Sequence, residues 1–280
     1  MKVGCFALVD PFSVLEHQLA RIAGLGFKYA DVTDNHPGGL LGREFGFSAT
    51  ASLDDNPRDL ADMFARHGLT ATSVCAHANL LDASAPSRYG NTEVTKAVQL
   101  AAGMKVRDVI TTEGEPRTDW GHALTREEQI FVFAEKLYEP VRLAAALGVK
   151  ILLEPHGPVT GTIDGMAAVL DRLGHPDTVG VNLDTGNCWL AGTDPVEMAK
   201  VFRDRIFHVH WKDMSADWEP KRGTVFGCGM AVIPLGTGVV DIKGVYDVVK
   251  DSPAEYSTLE IAGDDNVRRS YALLQSFGAQ

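Results

Sequence analysis

The sequence predicts an α/β protein built as a single (β/α)₈ barrel over residues 1–280. Three observations carry that prediction. Short β-branched runs alternate with stretches of helical spacing through eight cycles. The length of 280 residues suits one barrel of roughly 250 residues with some insertion. No glycine fingerprint for a dinucleotide follows the first strand and no Walker loop occurs, which argues against an open nucleotide-binding sheet. Strand–helix alternation implies right-handed crossovers and a parallel sheet.

The elements follow in order. Val3–Val9 is a buried strand. Ser13 then caps a helix carrying Leu15, Leu19, Ile22 and Leu25 at spacings of three and four, ended by Gly26. Lys28–Thr33 is the second strand. Pro57–His67 is a helix stopped by Gly68, and Thr70–Ala76 is the third strand. Thr92–Ala102 is helical, followed by the strand Val106–Thr112. Thr125–Leu147 is the longest helix, closed by Gly148, and leads to Val149–Glu154. Ile163–Leu173 precedes the sixth strand, Thr178–Asp184. Pro195–Arg203 opens with proline where a helix accepts it best. Ile206–Trp211 is the seventh strand and Asp241–Lys250 the next helix. Tyr256–Ile261 and Asn266–Phe277 complete the eighth unit. The long stretches Asp34–Asn56 and Asp213–Val240 both follow strands, so both belong to the C-terminal face, where lids and sites form.

Composition narrows the function. Apolar residues are 45% and charged residues 22% of the chain, as in an ordinary globular protein. The formal net charge is −11; such a surface repels phosphate backbones and disfavours nucleic acid as a partner. No apolar run reaches the roughly 18–20 residues of a membrane span. Cys5, Cys75, Cys188 and Cys228 show no metal-type spacing and read as reduced thiols. With no recognisable secretion signal, the expected location is cytoplasmic.

Active sites of barrels form where strands end. Four consecutive strands end in chemistry: Glu154, Asp184, His210 and Glu260, each preceded by an apolar residue. Three carboxylates and an imidazole make a hard, oxygen-rich donor set for one divalent metal ion. Mn²⁺ is the first choice, with Mg²⁺, Co²⁺ or Zn²⁺ as the others. Without a cation, three buried carboxylates would repel one another and be costly to desolvate. His208 and His210 share a strand face; His210, nearer the C-terminal end, is taken as the ligand, and His208 either supports the metal ligands from behind or faces the substrate. His156 follows Glu154 by two residues and so faces the same side if the strand geometry continues.

These residues resemble the xylose-isomerase-like barrel superfamily of sugar isomerases and epimerases, which also includes endonuclease IV. The likeness rests on Leu152-Leu153-Glu154, Asn182-Leu183-Asp184-Thr185-Gly186-Asn187, His208-Val209-His210-Trp211-Lys212-Asp213, Pro234-Leu235-Gly236-Thr237-Gly238 and Leu259-Glu260. It implies that Glu154, Asp184, His210 and Glu260 hold the metal, and that the two glutamates flank a carbohydrate substrate and exchange protons with carbon. The chain departs from the family by carrying Asn187 where a histidine is common and by adding His156. Stretches 33–47 and 52–57 are also similar to the large (alpha) subunit of bacterial C-glycoside deglycosidases. Those are lyases acting on 3-oxo-glucosides with a small second subunit. Endonuclease IV fits poorly, because it needs more histidines and a basic DNA groove.

The resulting expectation is proton abstraction beside a carbonyl, with a metal-stabilised enolate. The base is His156, Glu154 or Glu260. Reprotonation gives an isomer or epimer, and loss of a β group makes the enzyme a lyase; the sequence leaves both open. His77, Glu113, Asn187, His208 and Lys212 are the expected substrate contacts, with Thr112 beside Glu113. Trp120, Trp211 and Trp218 are candidates for stacking on a sugar face. The expected assembly is a homo-oligomer or a pair with a small subunit. The remaining alternative is a non-catalytic sugar-binding barrel.

Overall fold

The computed structural model describes residues 1–76, 78–81, 89–114, 118–227 and 233–280. Eight strands close a parallel barrel in sequence order. They are β1 (Lys2–Cys5), β2 (Tyr29–Thr33), β3 (Thr70–Ala76), β4 (Asp108–Thr112), β5 (Lys150–Glu154), β6 (Val179–Asp184), β7 (Ile206–Trp211) and β8 (Tyr256–Leu259). The outer helices are α1 (Leu15–Gly24), α2 (Leu40–Phe45), α3 (Pro57–Arg66), α4 (Tyr89–Met104), α5 (Asp119–Ala123), α6 (Arg126–Leu147), α7 (Ile163–Leu173), α8 (Thr185–Leu190), α9 (Pro195–Phe202), α10 (Ile242–Val249) and α11 (Asp264–Ser276). Among the described residues, no helix is long and apolar enough to cross a membrane.

Local signals explain most boundaries. Thr125 and Glu128 form a reciprocal capping box at the start of α6, and Gly148 ends it with φ +69°. Several expectations change. β1 stops at Cys5, and Phe6–Val9 continue as buried turns over the barrel mouth. Ser13 does not cap α1: Val14 holds the cap position, while the Ser13 hydroxyl donates to Asp10 Oδ2 at 2.8 Å. α11 begins at Asp264 rather than Asn266. The stretch after β2 contains α2, and the turns after β4 and β6 contain α5 and α8. These helices are only five or six residues long, too short to show a period of 3.6.

Two apolar layers hold the barrel. The larger lies between strands and helices, where Val109, Ile151, Val181 and Val209 meet Val98, Leu137, Val169 and Met198. Each such side chain contributes roughly 1.5–3 kcal/mol by leaving water. A smaller layer of Phe6, Leu8, Cys75, Ile110 and Leu152 has Leu41 of α2 packed against it. Register then aligns the strand ends. A shift between β6 and β7 pairs Val181 with Ile206 but Asn182 with His208, so Asp184 stands opposite His210. The extra residue in β7 is Phe207, whose ring lies where a Cβ on Gly180 would sit. Glycine at 180 makes that bulge possible.

Candidate metal centre and active site

Glu154 and Asp184 are the last residues of β5 and β6, His210 is the next-to-last of β7, and Glu260 follows β8 directly. All four are buried. His210 Nδ1 lies 3.2 Å from Glu154 Oε2 and 3.4 Å from Glu260 Oε2. Donor atoms of Glu154, Asp184 and His210 all fall within 4.8 Å of one another.

The surrounding side chains hold these groups in place. Glu154 accepts from Asn182 Nδ2 at 3.0 Å and from Asn187 Nδ2 at 2.9 Å. Asp184 is both strand end and helix cap: its Oδ1 accepts from Asn187 N at 2.7 Å, starting α8. Its Oδ2 is 3.1 Å from Lys212 Nζ, which is also 3.1 Å from Glu260 Oε2. Lys212 donates to Asn187 Oδ1 at 3.4 Å, and its stem covers Gly186, which has no Cβ to block it. Asp213 does not enter the site. Its carboxylate accepts from the backbone N–H groups of Gly236, Gly238 and Val240, and so pins the loop after β7.

Burial and mutual charge perturb Asp184, Glu260 and His210. Asp184 and Glu260 share one ammonium and shift in opposite directions. Burial drives Asp184 up to about 8 against the pull of Lys212. Burial also opposes ionisation of Glu260, but Lys212 and His210 outweigh it and hold the carboxyl down at about 2. His210 rises despite burial, because Cys75, Glu154 and Glu260 favour its protonated form. Asp184 Oδ2, Glu260 Oε2 and both ring nitrogens of His210 are buried without a well-formed hydrogen bond; the two carboxylate oxygens face the Lys212 ammonium, and His210 Nδ1 faces Glu154 and Glu260. Buried polar atoms that lack well-formed hydrogen bonds are costly, and a divalent cation would fit among the oxygens and the imidazole of these three side chains.

The other expected residues divide. Asn187 lies at the centre, as a donor to Glu154. His208 does not face an open cavity; it is fully buried below His210 and bonds to Thr258 Oγ1 at 3.0 Å. Burial pushes its pKa well below the usual histidine range, so it is a neutral interior group. Glu113 is committed to backbone: Val159 N, Thr160 N and Thr160 Oγ1 all donate to it. It therefore anchors the loop after β5, the loop that carries His156. Thr112 donates to Ala78 O. His156 is half-buried, and its ring packs against Gly227 (φ +125°), in the loop after β7. His77 lies outside the described residues. Trp211 is fully buried and cannot stack on a substrate; Trp120 is exposed, and Trp218 carries Lys221 Nζ 4.6 Å from its ring. The sequence assigned no role to Asp31 or to Asn182. Both are fully buried. Asn182 could have been found from its place two residues before Asp184 on the same strand face.

The model of the family described as xylose isomerase-like TIM barrel matches residues 19–277. The chain belongs to that family. Among curated relatives, an inosose dehydratase of Lacticaseibacillus casei is 34% identical over 119 residues, 39% of this chain and 39% of that protein. A 3-dehydroshikimate dehydratase of Bacillus anthracis is 27% identical over 171 residues, 59% of each chain. The matched segments thus span less than two thirds of either relative. Among solved structures, a D-tagatose 3-epimerase-like protein superposes with a TM-score of 0.76 at 18% identity, over 99% of this chain and 97% of that one. At that identity the likeness concerns the fold.

Proposed function

We propose that this chain is a divalent-metal-dependent enzyme that removes a proton from the carbon beside a carbonyl of a sugar or oxo-sugar. One observation carries the reading: the buried ligand atoms of Glu154, Asp184 and His210 lie within 4.8 Å of one another, with Glu260 Oε2 3.4 Å from His210 Nδ1, at the mouth of the barrel. Glu154, Asp184, His210 and Glu260 would hold the cation. The oxygen-rich set suits Mn²⁺ first, then Mg²⁺, Co²⁺ or Zn²⁺. Such a cation, when bound, polarises the carbonyl and offsets the negative charge that develops as the proton leaves.

The base is His156. Glu154 is a poor base because amides occupy both of its oxygens, and Glu260 lies between Lys212 and His210. His156 sits two residues beyond Glu154, and the Glu113 anchor on Thr160 fixes its loop. It accepts the carbon-bound proton on a ring nitrogen and returns it to a neighbouring atom or to the other face, giving an isomer or epimer. Lys212, expected as a substrate contact, instead directs its three N–H groups to Asp184, Glu260 and Asn187 and holds the ligand carboxylates in place. His208 acts only from beneath, by supporting His210.

A second reading is elimination. The names of both curated relatives, each a dehydratase, favour it. In that case the same proton abstraction is followed by loss of a hydroxyl β to the carbonyl, as water. A C-glycoside deglycosidase with a small partner subunit would be a narrower form of this chemistry, and its sequence support lies in residues 33–47 and 52–57.

The test is metal analysis joined to proton exchange. The wild-type chain should bind one Mn²⁺ and exchange solvent deuterium into an oxo-sugar; EDTA should stop the exchange. Glu154→Gln, Asp184→Asn and His210→Ala should each lose metal. His156→Ala should keep metal and lose exchange. Unchanged metal binding in the three ligand variants would overturn the site, and full exchange by His156→Ala would overturn the base. Loss of water from a β-hydroxy ketone, monitored as enone absorbance, separates the two readings.

A further inference from the structure

Two groups of possible ligand atoms meet at His210 among the described residues. One is Glu154, Asp184 and His210; the other is Asp31, Cys75 and His210, again with all donor atoms within 4.8 Å of one another. The second group has no role in the chemistry above. Asp31 on β2 and Cys75 on β3 are fully buried. Both oxygens of Asp31 are held: Oδ1 accepts from Ala7 N at 2.7 Å, and Oδ2 takes the Cys75 thiol at 3.6 Å. The Phe6 ring stands edge-on to the His210 ring, with centroids 5.9 Å apart.

Imidazole chemistry links the two groups. A neutral ring that offers one nitrogen to a cation must carry its proton on the other. In this buried ring Nδ1 faces Glu154 and Glu260, where the cation would sit, Nε2 makes no well-formed hydrogen bond, and a buried N–H without an acceptor is costly. Asp31 is the carboxylate of the second group, and its position is set by strand β2 and the Ala7 amide. A second cation between Asp31 and Cys75 would require His210 to lose its ring proton altogether and bridge two metals.

We propose that Asp31 is the positioning residue of the metal centre: its carboxylate accepts a hydrogen bond from the His210 ring N–H, fixes the tautomer and aims the other nitrogen at the cation, while the Cys75 thiol holds the Asp31 carboxylate. The inference rests on the metal reading given under Proposed function. It concerns a residue on the opposite wall of the barrel from the four ligands.

The test is calorimetric titration of the full chain with Mn²⁺, comparing wild type, Asp31→Asn and Asp184→Asn. Removing such an outer carboxylate typically weakens metal binding about 10- to 100-fold, and that loss is expected for Asp31→Asn. An Asp31→Asn affinity within twofold of wild type, with Asp184→Asn unable to bind, overturns this inference and leaves the metal site standing. Asp184→Asn binding as wild type overturns the metal reading and the inference together. A second equivalent of metal, lost in both Asp31→Asn and Cys75→Ala, makes Asp31 a ligand and also overturns it. A second measurement needs no variant. In the Zn²⁺-loaded wild-type chain labelled with ¹⁵N-histidine, one ring N–H that cross-relaxes with Cys75 should be protected from exchange. Its absence overturns the inference even if Asp31→Asn fails to fold.

Discussion

The ammonium nitrogen of Lys212 lies 3.1 Å from Asp184 Oδ2, and both side chains are fully buried. A lysine without water is held only by its partners, and here Glu260 is the second, also at 3.1 Å. Removing one member of a buried pair typically costs about 3–5 kcal/mol, because a charge is left uncompensated. Lys212→Met should therefore destabilise the metal-free protein by about that amount. Added Mn²⁺ should restore more stability to the variant than to wild type, since it supplies the missing positive charge. Thermal melts in EDTA and in Mn²⁺ check this, and equal metal-induced shifts in the two proteins would refute it.

Asn187 links the two sides of the centre, with its amide on Glu154 and its backbone N–H on Asp184. Asn187→Ala keeps the backbone bond and loses the amide. The expected result is a loss of about 1–3 kcal/mol and weaker Mn²⁺ binding, read by urea denaturation and by titration. Metal binding at wild-type strength would mean that Asn182 alone suffices to orient Glu154.

Gly227 is predicted to matter through His156. A Cβ at 227 would overlap the imidazole, and φ +125° disfavours any other residue there. Gly227→Ala should displace the ring, so proton exchange should fall by at least tenfold while Mn²⁺ affinity stays near wild type. Parallel loss of both would place the damage in the metal centre instead.

Glu113 gives a pH prediction. Burial raises its pKa from 4.5 to about 7, although the donors from Thr160 and Val159 pull the other way. The folded state then holds this proton more tightly than the unfolded chain. Its contribution is complete below about pH 4.5 and is lost as pH rises through about 7. Between pH 4.5 and 7.5, wild type should lose on the order of 3 kcal/mol relative to Glu113→Gln. Denaturant titrations at both pH values measure the difference, and a constant gap between the proteins would contradict it.

The eight strand–helix units were legible because buried parallel strands appear as β-branched runs and long helices repeat every three to four residues. Glu154, Asp184, His210 and Glu260 were legible for a related reason: each is a polar residue placed directly after an apolar one at the end of such a run. α2, α5 and α8 were not, since one or two turns contain too little repetition. Asp184 hid α8 further, because one side chain serves as strand end and helix cap. Glu113 was legible as a strand-end acid, but its partners lie 46 and 47 residues away.

Sequence alone determined the barrel, its order of elements and the four strand ends that gather acids and an imidazole, because these depend on spacing within single segments. Tertiary structure decided the rest. The β6–β7 register set Asp184 level with His210; barrel closure brought Asp31 near His210 from the opposite wall. The same packing enclosed Lys212 between two carboxylates and sank His208 into the interior. The reason is physical: periodicity records which face of a segment is dry, whereas the partner a buried polar atom meets depends on how separate segments are staggered across the sheet.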